Sequence, residues 1–144
     1  LIFSRQGTSA IGRTQEQISA IEMGGYLLKE KKDNDITIVA SGSEVQLALD
    51  AAKELENKSI NANVVSMPSL DIFLQQSSEF QKMVIDPNKP VLVVECAHPN
   101  SWYKILNRSD KVLGIETFGE SAPGGELLEH FGFNKEKVIQ AAKS

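Results

Sequence analysis

A chain of 144 residues, 41% hydrophobic and 24% charged, is long enough for one domain with one proper core, and it lies outside the compositions of disordered chains and disulfide scaffolds. The net charge of -4 argues against nucleic acid or an anionic membrane as a partner, since both need a basic face, and Lys29, Lys31 and Lys32 are too few to supply one. Cys96, the single cysteine, excludes an intramolecular disulfide and fits a reducing compartment, with the cytoplasm as the default.

The chain opens on Leu1-Ile2-Phe3, an apolar run without an initiator Met. It reads as the middle of a strand belonging to something upstream, so the chain is expected to be a fragment of a longer polypeptide. It lacks the basic region and long apolar segment of a signal peptide, and no stretch approaches the ~20 apolar residues of a membrane span. Residues 7–25 mix small and polar types with little periodicity and read as an irregular connector. Tyr26 to Glu30 suits a short strand.

After the polar turn Lys32-Asp33-Asn34-Asp35, the run Ile36-Thr37-Ile38-Val39-Ala40 is β-branched and apolar on both faces, as a buried parallel strand is. Ser41-Gly42-Ser43-Glu44 follows. Ser41 and Glu44 have the spacing of a capping box, so a helix is expected to start there. Its buried stripe is Val45, Ala48, Leu49, Ala52 and Leu55. Ala62 to Ser66 is a second strand, halted by Met67-Pro68-Ser69, which makes a β-α-β crossover.

Phe80, Met83 and Val84 mark a short helix ending before Pro87, and Val91 to Glu95 is a third buried strand. Ser101 to Leu106 reads as helical and Val112 to Ile115 as a strand. Glu126 to Phe131 and Lys135 to Lys143 read as two closing helices around the Gly132-Phe133 break. Alternating strands and helices imply a doubly wound α/β sheet in three layers.

Several short motifs then fall in order along the chain. Ser4-Arg5-Gln6 is followed by Gly24-Gly25-Tyr26, by Ala40-Ser41-Gly42-Ser43-Glu44-Val45 and by Val64-Val65-Ser66-Met67-Pro68. Trp102-Tyr103-Lys104, Phe118-Gly119-Glu120-Ser121-Ala122-Pro123 and Phe131-Gly132-Phe133 complete the series. Together they cover nearly the whole chain, which resembles the C-terminal domain of transketolases. Gly7-Thr8-Ser9 departs from the Asn and Leu-rich stretch usual after Ser-Arg-Gln, and Gly124-Gly125 stands where one Ala is usual. Both departures fall in loops.

The resemblance implies a mostly parallel sheet of about five strands with one antiparallel edge strand. It implies that residues 1–25 are the end of a preceding pyrimidine-binding domain plus linker, and residues 26–144 the C-terminal α/β domain. Transketolases move a two-carbon ketol unit from a ketose phosphate to an aldose phosphate in the pentose phosphate pathway. They use thiamine diphosphate and a divalent cation such as Mg2+, held between two other domains, and they work as homodimers. The Gly-Asp-Gly…Asn motif that holds metal and diphosphate is absent here, as is the segment presenting a glutamate to the cofactor. The resemblance therefore implies no catalytic, cofactor-binding or metal-binding residue in this chain, which by itself is expected to be inactive. Its partners would be sugar phosphates and the preceding domains of the parent.

Arg5 matches the family's arginine that contacts the sugar phosphate, a role suited to a planar guanidinium. The loop Ser41-Gly42-Ser43-Glu44, between a strand's end and a helix start, has two readings. One is a tight turn with an N-cap; the alternative is a small-anion site in a regulatory module. Cys96 and His98 lie after a strand, where α/β enzymes place nucleophiles. Two residues apart in a segment stiffened by Pro99, they are expected to be a buried Cys and a solvated His instead. His130 reads as a cap or surface residue near a helix C-terminus, and the His and Cys positions have no zinc spacing. Trp102 and Tyr103 are read as core or interface groups, not as a platform for a sugar ring. Ser121 to Gly125 reads as a structural loop with Pro123 near a helix's first turn.

Overall fold

The computed structural model describes residues 7–144. Its centre is a five-stranded sheet of β1 (Tyr26–Lys29), β2 (Ile36–Ala40), β3 (Ala62–Ser66), β4 (Val91–Val94) and β5 (Lys111–Leu113). The order across it is β1-β3-β2-β4-β5. β1 runs antiparallel to β3 at one edge, and the other pairings are parallel. β2, β3 and β4 are buried at every position, which is why they read as unbroken apolar runs instead of alternating ones.

Helices cover both faces. On one, α2 (Glu44–Glu56) and α6 (Lys135–Lys143) pack Ala48, Ala52, Leu55 and Val138 onto Ile38, Ala40, Val64 and Leu92. On the other, α3 (Leu70–Leu74), α4 (Ser78–Val84) and a 3-10 helix, Pro99–Ile105, bring Phe73, Val84 and Trp102 onto Val39, Val65 and Val93. α5 (Gly124–His130) sends Leu128 to the first of these cores. The three-layer, doubly wound, mostly parallel class with an antiparallel edge strand is what the structure has.

Several local readings need correction. Residues 7–25 include an α-helix, α1 (Gln15–Ala20), and a 3-10 turn, Ile21–Met23, where an irregular connector was expected. Thr14 and Gln17 form a reciprocal capping box. The Gln17 amide nitrogen also donates to the carbonyls of Leu27 and Leu28, both at 3.0 Å, and Arg13 Nε donates to the Tyr26 hydroxyl at 2.6 Å. Tertiary anchoring to β1, more than an apolar stripe, holds this short helix.

α3 leaves no helical signature in the sequence, because its five residues show little more than one turn of periodicity. Met83 is 65% exposed instead of buried. In α2, Ala51 is buried whereas Leu49 is only partly so, since a helix against a sheet selects small residues at closest approach. Ser41 does not cap α2: Ser43 is the N-cap and makes no side-chain cap bond. No helix among the described residues is long and apolar enough to cross a membrane.

β2 and β4 are neighbours whose onward connections diverge, β2 through α2 to β3 and β4 through the 3-10 helix to β5. The crevice beyond their C-terminal ends is therefore a topological switch point, where doubly wound sheets place ligands.

Candidate functional site

The turn Ser41-Gly42-Ser43 closes β2. Gly42 takes φ +50, a left-handed conformation that glycine adopts at no steric cost, and the Glu44 N–H donates to the Ser41 carbonyl at 3.1 Å. From the end of β4, Glu95 and Cys96 project into the same crevice. The Ser41 hydroxyl donates to Glu95 Oε2 at 2.9 Å, and the Ser43 hydroxyl to Glu44 Oε1 at 2.6 Å. Glu44 is only 6% exposed, in the first turn of α2.

The electrostatics of the crevice are negative. Burial pushes the Glu95 carboxyl above its ordinary range; the bond from Ser41 counteracts this, and the nearby Glu44 charge adds to it. Burial also raises the Cys96 thiol strongly, with Glu44 and Glu95 reinforcing the effect. Among the described residues the cations in ion pairs lie elsewhere: Lys29 and Lys31 with Glu56, and Lys58 with Glu54.

Beside Glu44 and Cys96 a cavity of about 370 Å³ opens toward α5, walled by Ile115, Leu127, Leu128, Phe131 and Phe133 and rimmed by Glu120. His130 Nε2 lies 3.4 Å from Glu120 Oε1 on the exposed side.

This arrangement decides several sequence readings. The anion alternative at Ser41 to Glu44 has no support, because Glu44 already occupies the helix start and Glu95 faces it, with no described cation between them. The same carboxylates would repel a diphosphate, and no group of three or more His, Cys, Asp or Glu among the described residues is placed to hold a metal. The lining of this crevice thus does not fit thiamine diphosphate and its cation.

Cys96 is half-buried at the cavity wall, not buried as expected, and it forms no dyad with His98. His98 is exposed and its Nδ1 accepts from the Asn100 N–H at 3.3 Å, capping the 3-10 helix. Trp102 is 5% exposed in the core while Tyr103 is 57% exposed, so the two share no platform. Pro123 is the N-cap of α5, one residue before its first turn. Arg5 lies outside the described residues.

The crevice pair Glu44 and Glu95 escaped the sequence reading. The available signal was an acidic residue just beyond each of two buried strands, which adjacent parallel strands bring together.

Comparison with known proteins accounts for the ordered motifs. A model of the transketolase-like TK C-terminal domain matches residues 24–134, so the chain belongs to the transketolase family and corresponds to its C-terminal domain. Transketolase 2 of Vibrio parahaemolyticus is 39% identical over 99% of this chain, which spans 22% of that relative's length. The solved transketolase of Leishmania mexicana superposes with a TM-score of 0.81 at 36% identity, over 88% of this chain and 18% of that one. A split-gene transketolase described as an inactive β4 tetramer matches with a TM-score of 0.70 at 26% identity, over 96% of this chain and 46% of that chain.

Proposed function

We propose that this chain is the C-terminal domain of a transketolase that transfers a two-carbon ketol unit from a ketose phosphate to an aldose phosphate, and that the chain alone is catalytically silent. The observation carrying this is the match of the family's C-terminal domain to residues 24–134. In the parent, a cytoplasmic homodimer of the pentose phosphate pathway, thiamine diphosphate and Mg2+ belong to the preceding domains. Residues 1–25 carry the chain out of the pyrimidine-binding domain and residues 26–144 form the C-terminal domain.

Arg5 stands at the rim of the substrate channel and binds the sugar phosphate, where a guanidinium offers paired donors to phosphate oxygens. The domain's role is architectural, and Arg5, in the segment before it, is the chain's reach into the chemistry. The split-gene relative whose chain is described as an inactive tetramer is consistent with silence of the chain by itself.

Ketol transfer assayed with thiamine diphosphate and Mg2+, for this chain and for the upstream-extended polypeptide, tests the reading. Activity is expected only in the extended protein, and turnover by the chain alone would overturn it. In the extended protein Arg5→Ala is expected to raise the Michaelis constants for phosphorylated sugars; unchanged constants would remove Arg5 from the site.

A further inference from the structure

We propose that the cavity between the Glu44 end of α2 and α5 binds a small organic ammonium, a primary amine carrying a short apolar tail. Its volume of about 370 Å³ is that of a small-ligand pocket, and such pockets combine an apolar wall with a few placed polar groups. Here Leu127, Leu128, Phe131 and Phe133 form the wall, and the charge comes from Glu44.

Glu44 points to a cation. It is only 6% exposed, and the one hydroxyl it accepts from, Ser43 Oγ on Oε1, is neutral. Cys96, which lines the same cavity, carries a neutral thiol that is at most a weak donor. Oε2 accepts no hydrogen bond from an N–H or O–H of the described residues, and none of their cations forms an ion pair with this carboxylate. Burying a carboxylate without a countercharge is costly, and an ammonium arriving with the ligand supplies that charge.

Other ligand classes fit less well. An anion meets Glu44 and, at the rim, Glu120. A sugar finds apolar side chains where it needs hydrogen-bonding partners. A purely apolar molecule fills the wall and leaves the carboxylate without a countercharge. The inference rests on this chain's own cavity and is independent of the ketol-transfer reading, so the failure of one leaves the other standing.

The test is a titration of the isotopically labelled chain with hexylammonium at neutral pH, followed by amide shifts, with hexanol and hexanoate as tail-matched controls. Saturable shifts at Ser43, Glu44, Cys96 and Leu128 are expected, with hexylammonium binding about tenfold or more tighter than hexanol and hexanoate not binding. Glu44→Gln is expected to bring hexylammonium down to the hexanol level. Absence of saturable shifts, equal binding of hexanol, or undiminished binding to a folded Glu44→Gln variant would each overturn the proposal. Should that variant fail to fold, the wild-type comparison of ammonium, alcohol and carboxylate decides alone.

Discussion

The Ser41 hydroxyl donates to Oε2 of Glu95 at 2.9 Å, tying the C-terminal end of β2 to that of β4. Backbone pairing of these strands reaches Ala40 opposite Val94, so the side-chain bond extends the contact one step past the ladder. It holds shut one side of the crevice at the topological switch point. It also explains why Ser41 does not cap α2: its hydroxyl turns toward a carboxylate on the neighbouring strand.

Ser41→Ala removes a hydrogen bond to a charged, half-buried group and leaves that group short of a donor. A loss of about 1–3 kcal/mol is expected, read as a lower urea midpoint with an unchanged slope. An unchanged midpoint would show that water replaces the hydroxyl at no cost.

Glu95 gives the fold a pH dependence of defined sign. Burial, and less strongly the charge of Glu44, hold its carboxyl above the ordinary value of 4.5, against the lowering effect of the Ser41 bond. The folded state thus binds this proton more tightly than the unfolded state. The stability this contributes is complete below the ordinary value and is lost as pH rises through the raised folded value. Glu95→Gln keeps an acceptor for Ser41 and removes the ionisation. The variant is expected to melt higher than wild type at neutral pH, with the advantage shrinking as pH falls toward 4.5. Parallel melting curves at all pH values would contradict this assignment.

Among the described glycines, Gly24 has the tightest surroundings. Its φ is +86, and its carbonyl accepts from the Ser69 N–H at 3.0 Å. A Cβ there would overlap the Phe73 backbone nitrogen and come within 2.5 Å of the Ser69 carbonyl oxygen. Gly24→Ala is expected to cost more than about 2 kcal/mol, combining left-handed strain with displacement of α3. Gly12→Ala is the control, since a Cβ at that position meets nothing within 4 Å. Thermal melts of both variants check the contrast.

The central strands were legible because burial on both faces leaves a composition that no other element mimics, and α2 because its thirteen residues carry several turns of periodicity. Short elements were not. α1 exposes its residues and is held by Gln17 and Arg13 reaching β1, contacts that leave no periodic trace. The capping-box pattern shows the limit well. It is real at Thr14 and Gln17 and false at Ser41 and Glu44. The two differ by a competitor, since Glu95 is distant in sequence yet adjacent in the sheet and takes the Ser41 hydroxyl. The acidic crevice was hidden for the same reason, because strand order, not spacing, brings Glu44 and Glu95 together.

Cys96 tests the crevice from the other side. Burial raises its thiol strongly, and the charges of Glu44 and Glu95 raise it further, so almost no thiolate forms at neutral pH, and the thiolate is the reactive species. An aromatic disulfide reagent is therefore expected to label Cys96 far more slowly than a free cysteine, with full labelling once denaturant opens the fold. Glu44→Gln removes one repelling charge and is expected to speed labelling of the folded protein, whereas Glu54→Gln, on the exposed side of α2, is expected to leave the rate unchanged. Fast labelling of the wild type would mean that burial and the carboxylates do not keep the thiol protonated. Equal rates in wild type and Glu44→Gln would assign the protection to burial alone and remove Glu44 from the environment of the sulfur.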